Sequence, residues 1–292
     1  MNIKIAQADL SKNSEVSKML LAIFTAEADP EEFLTLVTCV EAGKQIYSFI
    51  AHAEGGAVGI LVGNTNKNDG IVDIIAVVAD YRQQGVGAKL LAAFEEAMRN
   101  QGISRIKVGE SRCSYIWPGV DTQYVSALVM FQREGFTRNG VIYNLKCNAK
   151  TNLALSNPQG ILIQEIELPN LPEATAFARE KFSETWAREL EIAVKKDDAK
   201  AFMAISEGKV VGFSAHSVYR KSYFGPLATD SEFRGKGIGD SLLWASLDSM
   251  NQQGTSVAEI NWISEESLPF YVKTCGAKIS GTFITLEKVL KV

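Results

Sequence analysis

Two short glycine-rich stretches carry residue types that can bind an anion. They are EFRGKGIGDSLL (232–243) and DYRQQGVGAKLL (80–91), and both fit the pattern Arg-x-x-Gly-x-Gly followed by an apolar run typical of a helix. The first amide groups of a helix have no acceptor within the helix, and the helix dipole makes that end positive. Glycine lets a phosphate approach the backbone. The pattern therefore predicts a phosphate or pyrophosphate at both turns.

Two other phosphate-binding motifs do not fit these stretches. A Walker A loop needs Gly-Lys followed by Ser or Thr, which neither copy has. The dinucleotide pattern Gly-x-Gly-x-x-Gly would need glycine at the positions of Asp240 and Leu90. The remaining alternative is a strand-to-helix turn without a ligand, and two copies at the same place in two similar halves argue against it.

The elements around the two turns repeat along the chain. IKIAQADL (3–10) and ILIQEIEL (161–168) alternate as half-buried strands do, and both halves then follow the order β-α-α-β-β-β-α-β-α-β. The polar stretch TNLALSNPQG (151–160) reads as a linker. We therefore predict an α/β protein with one domain in residues 1–150 and a second in residues 160–292.

Composition limits the classes of partner. A length of 292 residues suits two globular domains, and a net charge of −4 without a basic run argues against nucleic acid. No apolar run reaches the length of a membrane span, and the N-terminus has no signal-peptide pattern. The four cysteines form no CxxC pair, so we expect no metal site, no disulfide framework and a cytoplasmic protein. Both histidines fall in strand-like stretches, which disfavours a His-centred mechanism.

The turn motif and its place in the element order resemble the GNAT family of acetyl-CoA-dependent N-acetyltransferases, in its tandem two-domain form. The resemblance covers essentially the whole chain, and it implies two domains that are each a mixed, mostly antiparallel sheet flanked by helices. It also implies acetyl-CoA as the acetyl donor, with its pyrophosphate on the amides of both turns. The matching residues are Arg82, Gln83, Gln84, Gly85, Val86, Gly87 and Ala88, and then Arg234, Gly235, Lys236, Gly237, Ile238, Gly239 and Asp240. The pantetheine arm is expected along the preceding strands, at Ile75, Ala76 and Val77 and at Leu227, Ala228 and Thr229, with the acetyl carbonyl near Leu227 or Ala228.

The resemblance also implies a general acid. The family pattern Asn-x-x-Ala-x-x-Leu-Tyr, followed by Gly-Phe, places a tyrosine near the coenzyme sulfur. The second half has Tyr271 there, whereas the first half has Phe131, which has no proton to donate. Tyr271 stands five residues before Gly276 instead of four, and one extra helical residue rotates a side chain by about 100°. The alternative is a tyrosine that only packs in the core.

A general base is needed because an ammonium group cannot attack a thioester. Glu259 is the candidate in the second half, and a solvated surface residue is the alternative. Other residues expected to act at or shape such a site are Asp73 and Glu110 as bases of the first half, Asn261 and Trp262 in the second, and Tyr115, Trp117 and Asp121 in the long stretch 111–124. A loop that simply packs over the first domain is the alternative for that stretch.

These residues favour an N-acetyltransferase that moves an acetyl group from acetyl-CoA to a primary amine by direct attack. The second half is the expected catalyst, and the first half is expected to serve binding, stability or cleft formation. The alternatives are an acyl-CoA-binding sensor or scaffold without chemistry, and an enzyme that uses a longer acyl group. A small-molecule amine is the expected acceptor. The sequence identifies neither that amine nor the oligomeric state.

Overall fold

The computed structural model describes residues 3–7, 19, 23, 45–66, 68–109, 117–150 and 157–290. The chain forms two compact units: unit 1 is Met1–Ile142 with Thr282–Val292, and unit 2 is Tyr143–Gly281. The last strand of the sequence therefore belongs to unit 1 from Thr282 onward, whereas the predicted second domain, residues 160–292, included all of it. In the part of the chain that is described, no helix is long and apolar enough to cross a membrane.

Unit 1 is a mixed sheet with helices packed on it. Its strands are β1 (Lys4–Gln7), β2 (Ile46–Ala53), β3 (Gly56–Asn66), β4 (Asp69–Val77), β5 (Arg105–Val108), the short β6 (Val120–Asp121), the first part of β7 (Thr137–Asn148) and the last part of β13 (Lys278–Val289). Its described helices are α1 (Val86–Asn100) and α2 (Val125–Arg133). The strand order is β1-β2-β3-β4-β5-β13-β7, and β4 and β5 are a parallel pair.

Unit 2 repeats this arrangement. It contains β8 (Ile161–Glu165), α3 (Leu171–Lys181), α4 (Glu184–Lys195), β9 (Lys200–Ser206), β10 (Lys209–His216), β11 (Tyr223–Thr229), α5 (Ile238–Gln252), β12 (Val257–Ser264) and α6 (Leu268–Cys275). The strand order is β7-β12-β11-β10-β9-β8, with β11 and β12 parallel. The predicted α/β class and the predicted element order of the second half are confirmed. The two helices predicted at 14–24 and 30–43 lie outside the described residues, apart from Met19 and Ile23, which are helical.

The long helix of each unit buries one apolar face on its sheet. Leu90, Phe94 and Met98 recur every fourth residue on α1 and have no exposed surface. On α5 the equivalent positions are Leu242, Ser246 and Met250, which also have no exposed surface. This spacing puts each set on one side of a helix, so packing on the sheet fixes the position of the helix N-terminus.

A buried ion pair attaches the returning strand to unit 1. Lys288 Nζ on β13 lies 2.5 Å from Glu95 Oε1 on α1, and Glu95 also accepts a hydrogen bond from Arg99 at 3.0 Å. The Glu95 side chain is only 8% exposed. Beside it, β13 pairs with β5, with Leu286 opposite Val108. The C-terminal strand thus completes the sheet that carries the first glycine turn.

Candidate active site

The parallel strands of each unit separate towards their carboxyl ends. In unit 2 the registered pairs between β11 and β12 are Tyr223 with Glu259 and Phe224 with Ile260, while β11 continues to Thr229. In unit 1 the last pair is Val72 with Val108, while β4 continues to Val77. The carboxyl edge of parallel strands is where α/β folds commonly bind ligands. Among the described residues, the strand that leads to each glycine turn thus continues past its last parallel pair, and we call the region beyond that pair the gap of the unit.

The strand segments expected to contact pantetheine border these gaps. Ala76 pairs with Ile60 on β3, and Ala228 pairs with Phe213 on β10. On one side, each segment is thus paired with its antiparallel neighbour. On the other side, it continues past the last residue that pairs with the parallel strand. Where no described strand pairs with that second side, its backbone groups are suited to bind the amides of an extended arm.

The two glycine turns have the same backbone conformation. Gly85 and Gly237 are the N-cap residues of α1 and α5, with φ values of 76° and 79° and no side-chain cap. Two residues earlier, Gln83 and Gly235 also have positive φ, at 60° and 75°. Successive amides in this conformation at an uncapped helix N-terminus form an anion-binding concavity. Gln83 keeps this conformation at a steric cost that glycine avoids.

The arginine of each turn supports the turn itself. Arg82 Nε donates to the carbonyl oxygen of Val77 at 2.9 Å, and Arg234 Nε donates to that of Thr229 at 3.4 Å. Each arginine therefore ties the turn to the end of the strand that precedes it, while its charge stays at an exposed position. In unit 2, Lys236 Nζ lies 4.5 Å from the centroid of the Phe233 ring.

The glycines of the motif lie in two different environments. A Cβ on Gly85 would meet nothing within 4 Å, whereas one on Gly87 would lie 2.6 Å from the sulfur of Met130. On Gly239 it would lie 3.4 Å from the Phe270 ring. Gly87 and Gly239 therefore allow a neighbouring helix to approach, and Gly85 leaves space for a ligand. The sequence argument assigned phosphate approach to all of them and missed this packing.

Asp240 contacts another helix through its side chain. Its Oδ1 accepts a hydrogen bond from Thr274 Oγ1 at 2.6 Å, which links the first turn of α5 to α6. A carboxylate there stabilises the helix N-terminus but adds negative charge beside an anion site. Unit 1 has the neutral Ala88 instead. Only the backbone amide of Asp240 is suited to donate a hydrogen bond to a pyrophosphate, because the carboxylate of its side chain repels an anion.

Tyr271 occupies a buried position on α6. It is 7% exposed and makes edge-on contacts with the rings of Phe224 at 6.3 Å and Phe270 at 4.9 Å between centroids. Phe270 packs on Gly239 as Met130 packs on Gly87, so Tyr271 matches Phe131 in position. The extra residue before Gly276 falls after Tyr271 and does not rotate it. Burial raises the pKa of the Tyr271 hydroxyl, so it stays protonated at neutral pH.

Glu259 lies before the point where the strands separate. Its Oε1 is 3.4 Å from Lys146 Nζ, and the residue is in register with Tyr223. Leu227 follows Tyr223 by four residues, a distance of about 13 Å along a strand. The structure therefore does not bring Glu259 next to the residues expected at the acetyl carbonyl, and proton transfer over this distance requires water.

Asp73 lies at the corresponding separation point of unit 1. The register between β3 and β4 shifts there, directly after the last parallel pair, and Asn64 Nδ2 donates to Asp73 Oδ2 at 2.7 Å.

Of the other residues expected to shape the site of unit 1, Trp117 packs on the cluster that contains Ile60 and Ile74. Asp121 Oδ1 accepts a hydrogen bond from the backbone amide of Gln123 at 2.9 Å, and this bond stabilises a turn. Glu110 and Tyr115 lie outside the described residues.

Trp262 has a backbone conformation that sequence reasoning missed. Its φ is 62°, and its amide donates to Asn144 Oδ1 at 3.1 Å. It stands two residues after the last parallel pair of unit 2, next to Asn261. The sequence contained one sign of this conformation: the stretch AEINWIS (258–264) does not alternate strictly. Ile260 and Ile263 are three residues apart and both are buried, whereas strict alternation would put them on opposite faces of the strand.

Unit 2 contains a fully buried histidine and a pair of neighbouring cysteines, of which Cys147 is buried and Cys275 is half-buried. His216 has no exposed surface, and its ring nitrogens lie 2.9 Å from the hydroxyls of Ser217 and Ser249. Burial lowers the pKa of His216 to about 4. The free thiols of Cys147 and Cys275, distant in sequence, are neighbours, and the hydrogen bond between them raises the pKa of Cys147 and lowers that of Cys275.

Comparison with protein-family models identifies the class of protein. Residues 164–277 match the acetyltransferase (GNAT) family, and residues 44–138 match a GNAT acetyltransferase domain. The two matches together cover well over half of the chain. The chain therefore belongs to the GNAT acetyltransferase family and contains two such domains in tandem.

Solved structures share the fold at low identity. A glucosamine N-acetyltransferase region of a fungal multi-domain β-N-acetylglucosaminidase has a TM-score of 0.79 and 18% identity, covering 98% of this chain and 38% of that chain. This protein thus spans well under half of that relative. A tandem GNAT protein from the clavulanic acid biosynthesis pathway has a TM-score of 0.76 and 14% identity, covering 100% and 99%. A GNAT protein from Sphaerobacter thermophilus has a TM-score of 0.75 and 15% identity, covering 99% and 96%. A search of curated proteins finds no match.

Proposed function

We propose that this protein transfers the acetyl group of acetyl-CoA to a primary amine of a small molecule, in the gap of unit 2. The observation that carries the proposal is the uncapped helix N-terminus at Gly237 beside the separating strands β11 and β12. An anion at that turn and an extended arm along Leu227–Thr229 would place a thioester in the gap.

The reaction needs two proton transfers. The neutral amine attacks the carbonyl carbon, a C–N bond forms and the C–S bond breaks, with no covalent enzyme intermediate. Tyr271 gives its proton to the leaving thiolate, since burial holds the phenol in its protonated form. The proton lost by the amine passes through water, with Glu259 as its proposed acceptor.

The alternative, an acyl-CoA sensor without chemistry, is supported by a specific observation in unit 1 but not in unit 2. Phe131 is 1% exposed and occupies the place of Tyr271, so that unit has a coenzyme turn without the proposed acid. We propose that unit 1 binds acetyl-CoA and supports the fold, and that unit 2 performs the chemistry.

The free thiols of Cys147 and Cys275 support a reducing compartment, and we propose that this compartment is the cytoplasm.

A coenzyme-release assay tests this function. The full chain is incubated with acetyl-CoA and a panel that contains a polyamine, an amino sugar, an aminoglycoside, amino acids and a peptide with a free N-terminus. Free thiol is measured together with the acetylated amine by mass spectrometry. Stoichiometric formation of both supports acetyl transfer. Tight acetyl-CoA binding by calorimetry without acetylation of any amine would favour the sensor.

A further inference from the structure

We propose that the hydrogen bond between Thr274 and Asp240 positions the hydroxyl of Tyr271 to protonate the leaving thiolate of coenzyme A. This inference rests on the proposed acetyl transfer in unit 2, and it makes Thr274 and Asp240 positioning residues that act through Tyr271. Thr274 Oγ1 donates to Asp240 Oδ1 at 2.6 Å, a short bond to a charged acceptor. The bond joins the first turn of α5, where the pyrophosphate is proposed to bind, to the helix that carries the proposed acid.

The helix α6 depends on its neighbours for its position. It contains eight residues, and helices of this length are marginal without tertiary contacts. Two of its side chains contact the glycine turn of unit 2. The ring of Phe270 faces Gly239, where an added Cβ would lie 3.4 Å from it, and one turn later Thr274 donates to Asp240. Tyr271 lies between these two contacts along the helix, so they set its distance from the turn.

The hydroxyl of Thr274 bonds to a different helix. A threonine hydroxyl inside a helix commonly donates to a carbonyl of the preceding turn, whereas that of Thr274 donates to the half-buried Asp240 on α5. Thr274 follows Tyr271 by three residues, so their side chains are neighbours on one face of α6. A movement of α6 that breaks the bond therefore also displaces the hydroxyl of Tyr271.

The carboxylate of Asp240 is unfavourable for coenzyme binding alone. A Cβ added to Gly237 would lie 4.0 Å from Asp240 Oδ2, so the carboxylate lies beside the residue that begins the helix. A negative charge there repels the pyrophosphate that the amides of the same turn attract. A side chain that opposes coenzyme binding and bonds to the helix of Tyr271 points to a function at Tyr271.

Unit 1 lacks both partners of this bond. Ala88 stands at the position of Asp240, and alanine has no acceptor in its side chain. Glu134 follows Phe131 by three residues, as Thr274 follows the phenol of unit 2, and a carboxylate donates no hydrogen bond. Donor, acceptor and phenol therefore occur together in unit 2, and all three are missing from these positions of unit 1.

Substitutions of Thr274 in the full chain test the proposal. Thr274→Val removes the donor at nearly constant volume and should lower kcat by about 5- to 50-fold. The Kd for acetyl-CoA, measured by calorimetry, should stay within about twofold of the parent, because the bond acts on the reaction and not on the bound ground state. Thr274→Ser keeps the hydroxyl and should restore kcat. Lys273→Gln, at an exposed position of the same helix, is the matched control and should change neither value.

Replacing Asp240 with alanine gives a result that damage to the fold would not give. Asp240→Ala removes the acceptor of the bond, so kcat should fall about as far as in Thr274→Val. The same substitution removes negative charge beside the anion site, so acetyl-CoA should bind about two- to fivefold more tightly. Damage to the site would weaken binding as kcat falls, and that result contradicts the proposal.

A double-mutant cycle with Tyr271→Phe shows whether Thr274 acts through the phenol. In the Tyr271→Phe background there is no hydroxyl to position, so Thr274→Val should lower kcat by no more than about a further twofold. An equal loss in both backgrounds would make Thr274 a structural residue and overturn the proposal. A kcat for Thr274→Val within about twofold of the parent would overturn it as well.

Fluorine NMR separates failure of this inference from failure of the proposed function. The full chain is labelled with 3-fluorotyrosine, and the resonance of Tyr271 is assigned by its loss in Tyr271→Phe. Saturating acetyl-CoA should shift this resonance in the parent and in Thr274→Ser, and less in Thr274→Val. If the parent acetylates no amine, acetyl transfer is wrong, and a shift that depends on Thr274 retains the link between the turn and Tyr271. No shift in the parent, or an equal shift in Thr274→Val, overturns the inference whether or not the parent is active.

Discussion

Tyr271 of unit 2 occupies the position that Phe131 occupies in unit 1. Each is buried and follows the residue that packs on the last glycine of its turn, Gly87 or Gly239. The two units thus present the same framework with and without a phenolic hydroxyl. This difference, one oxygen atom in a shared aromatic position, is the basis for assigning the chemistry to unit 2.

Replacing Tyr271 with phenylalanine should lower kcat by about 10²- to 10⁴-fold, the usual loss on removal of a general acid. The ring contacts with Phe224 and Phe270 remain, so the fold and the acetyl-CoA Kd should be unchanged. Steady-state kinetics and calorimetry check both expectations. Turnover within about threefold of the parent would make Tyr271 a packing residue.

Replacing Glu95 should destabilise unit 1, because it leaves the half-buried Lys288 ammonium without its carboxylate partner. We expect Glu95→Gln to lower the free energy of unfolding by about 3 kcal/mol. Glu96→Gln, at an exposed position of the same helix, is the matched control and should change it by less than about 0.5 kcal/mol. Urea denaturation measures both, and equal effects would show that the ion pair does not hold the returning strand.

His216 should make unit 2 less stable in acid. Its pKa is lowered from 6.5 to about 4, mainly by burial and also by the charge of Lys200, while Asp198 opposes the shift. Between these two pH values the unfolded chain binds the proton and the folded chain does not, so stability falls as the pH decreases from 6.5 to about 4. The loss is at most about 3 kcal/mol.

Thermal unfolding as a function of pH checks this expectation. His216→Gln should reduce the dependence on pH in this range, and His52→Gln, which changes the other histidine, should not. An unchanged dependence in His216→Gln would assign the acid sensitivity to other groups.

The sequence predicted those features that depend on local pattern. Alternating and helical periodicities predicted the elements of the second half, and the repeated motif predicted a strand-to-helix turn at the start of both α1 and α5. It did not predict the return of β13 to unit 1, because the choice of a strand's partner depends on pairing across the whole chain. Nor did it reveal the contact of Gly87 with Met130, the left-handed Trp262 or the proximity of Cys147 and Cys275, since each depends on tertiary packing.

The most direct measurement compares acetyl transfer by Gly237→Val and Gly85→Val. Both glycines have positive φ, so both substitutions impose a similar backbone strain of about 1–2 kcal/mol, and neither added Cβ approaches another protein atom closer than 3.5 Å. Differences between the variants therefore report on the ligand, with thermal unfolding to confirm that each is folded. We predict that Gly237→Val loses acetyl transfer, whereas Gly85→Val retains most of it. Loss of transfer in Gly85→Val with retention in Gly237→Val would contradict the account and place the chemistry in unit 1.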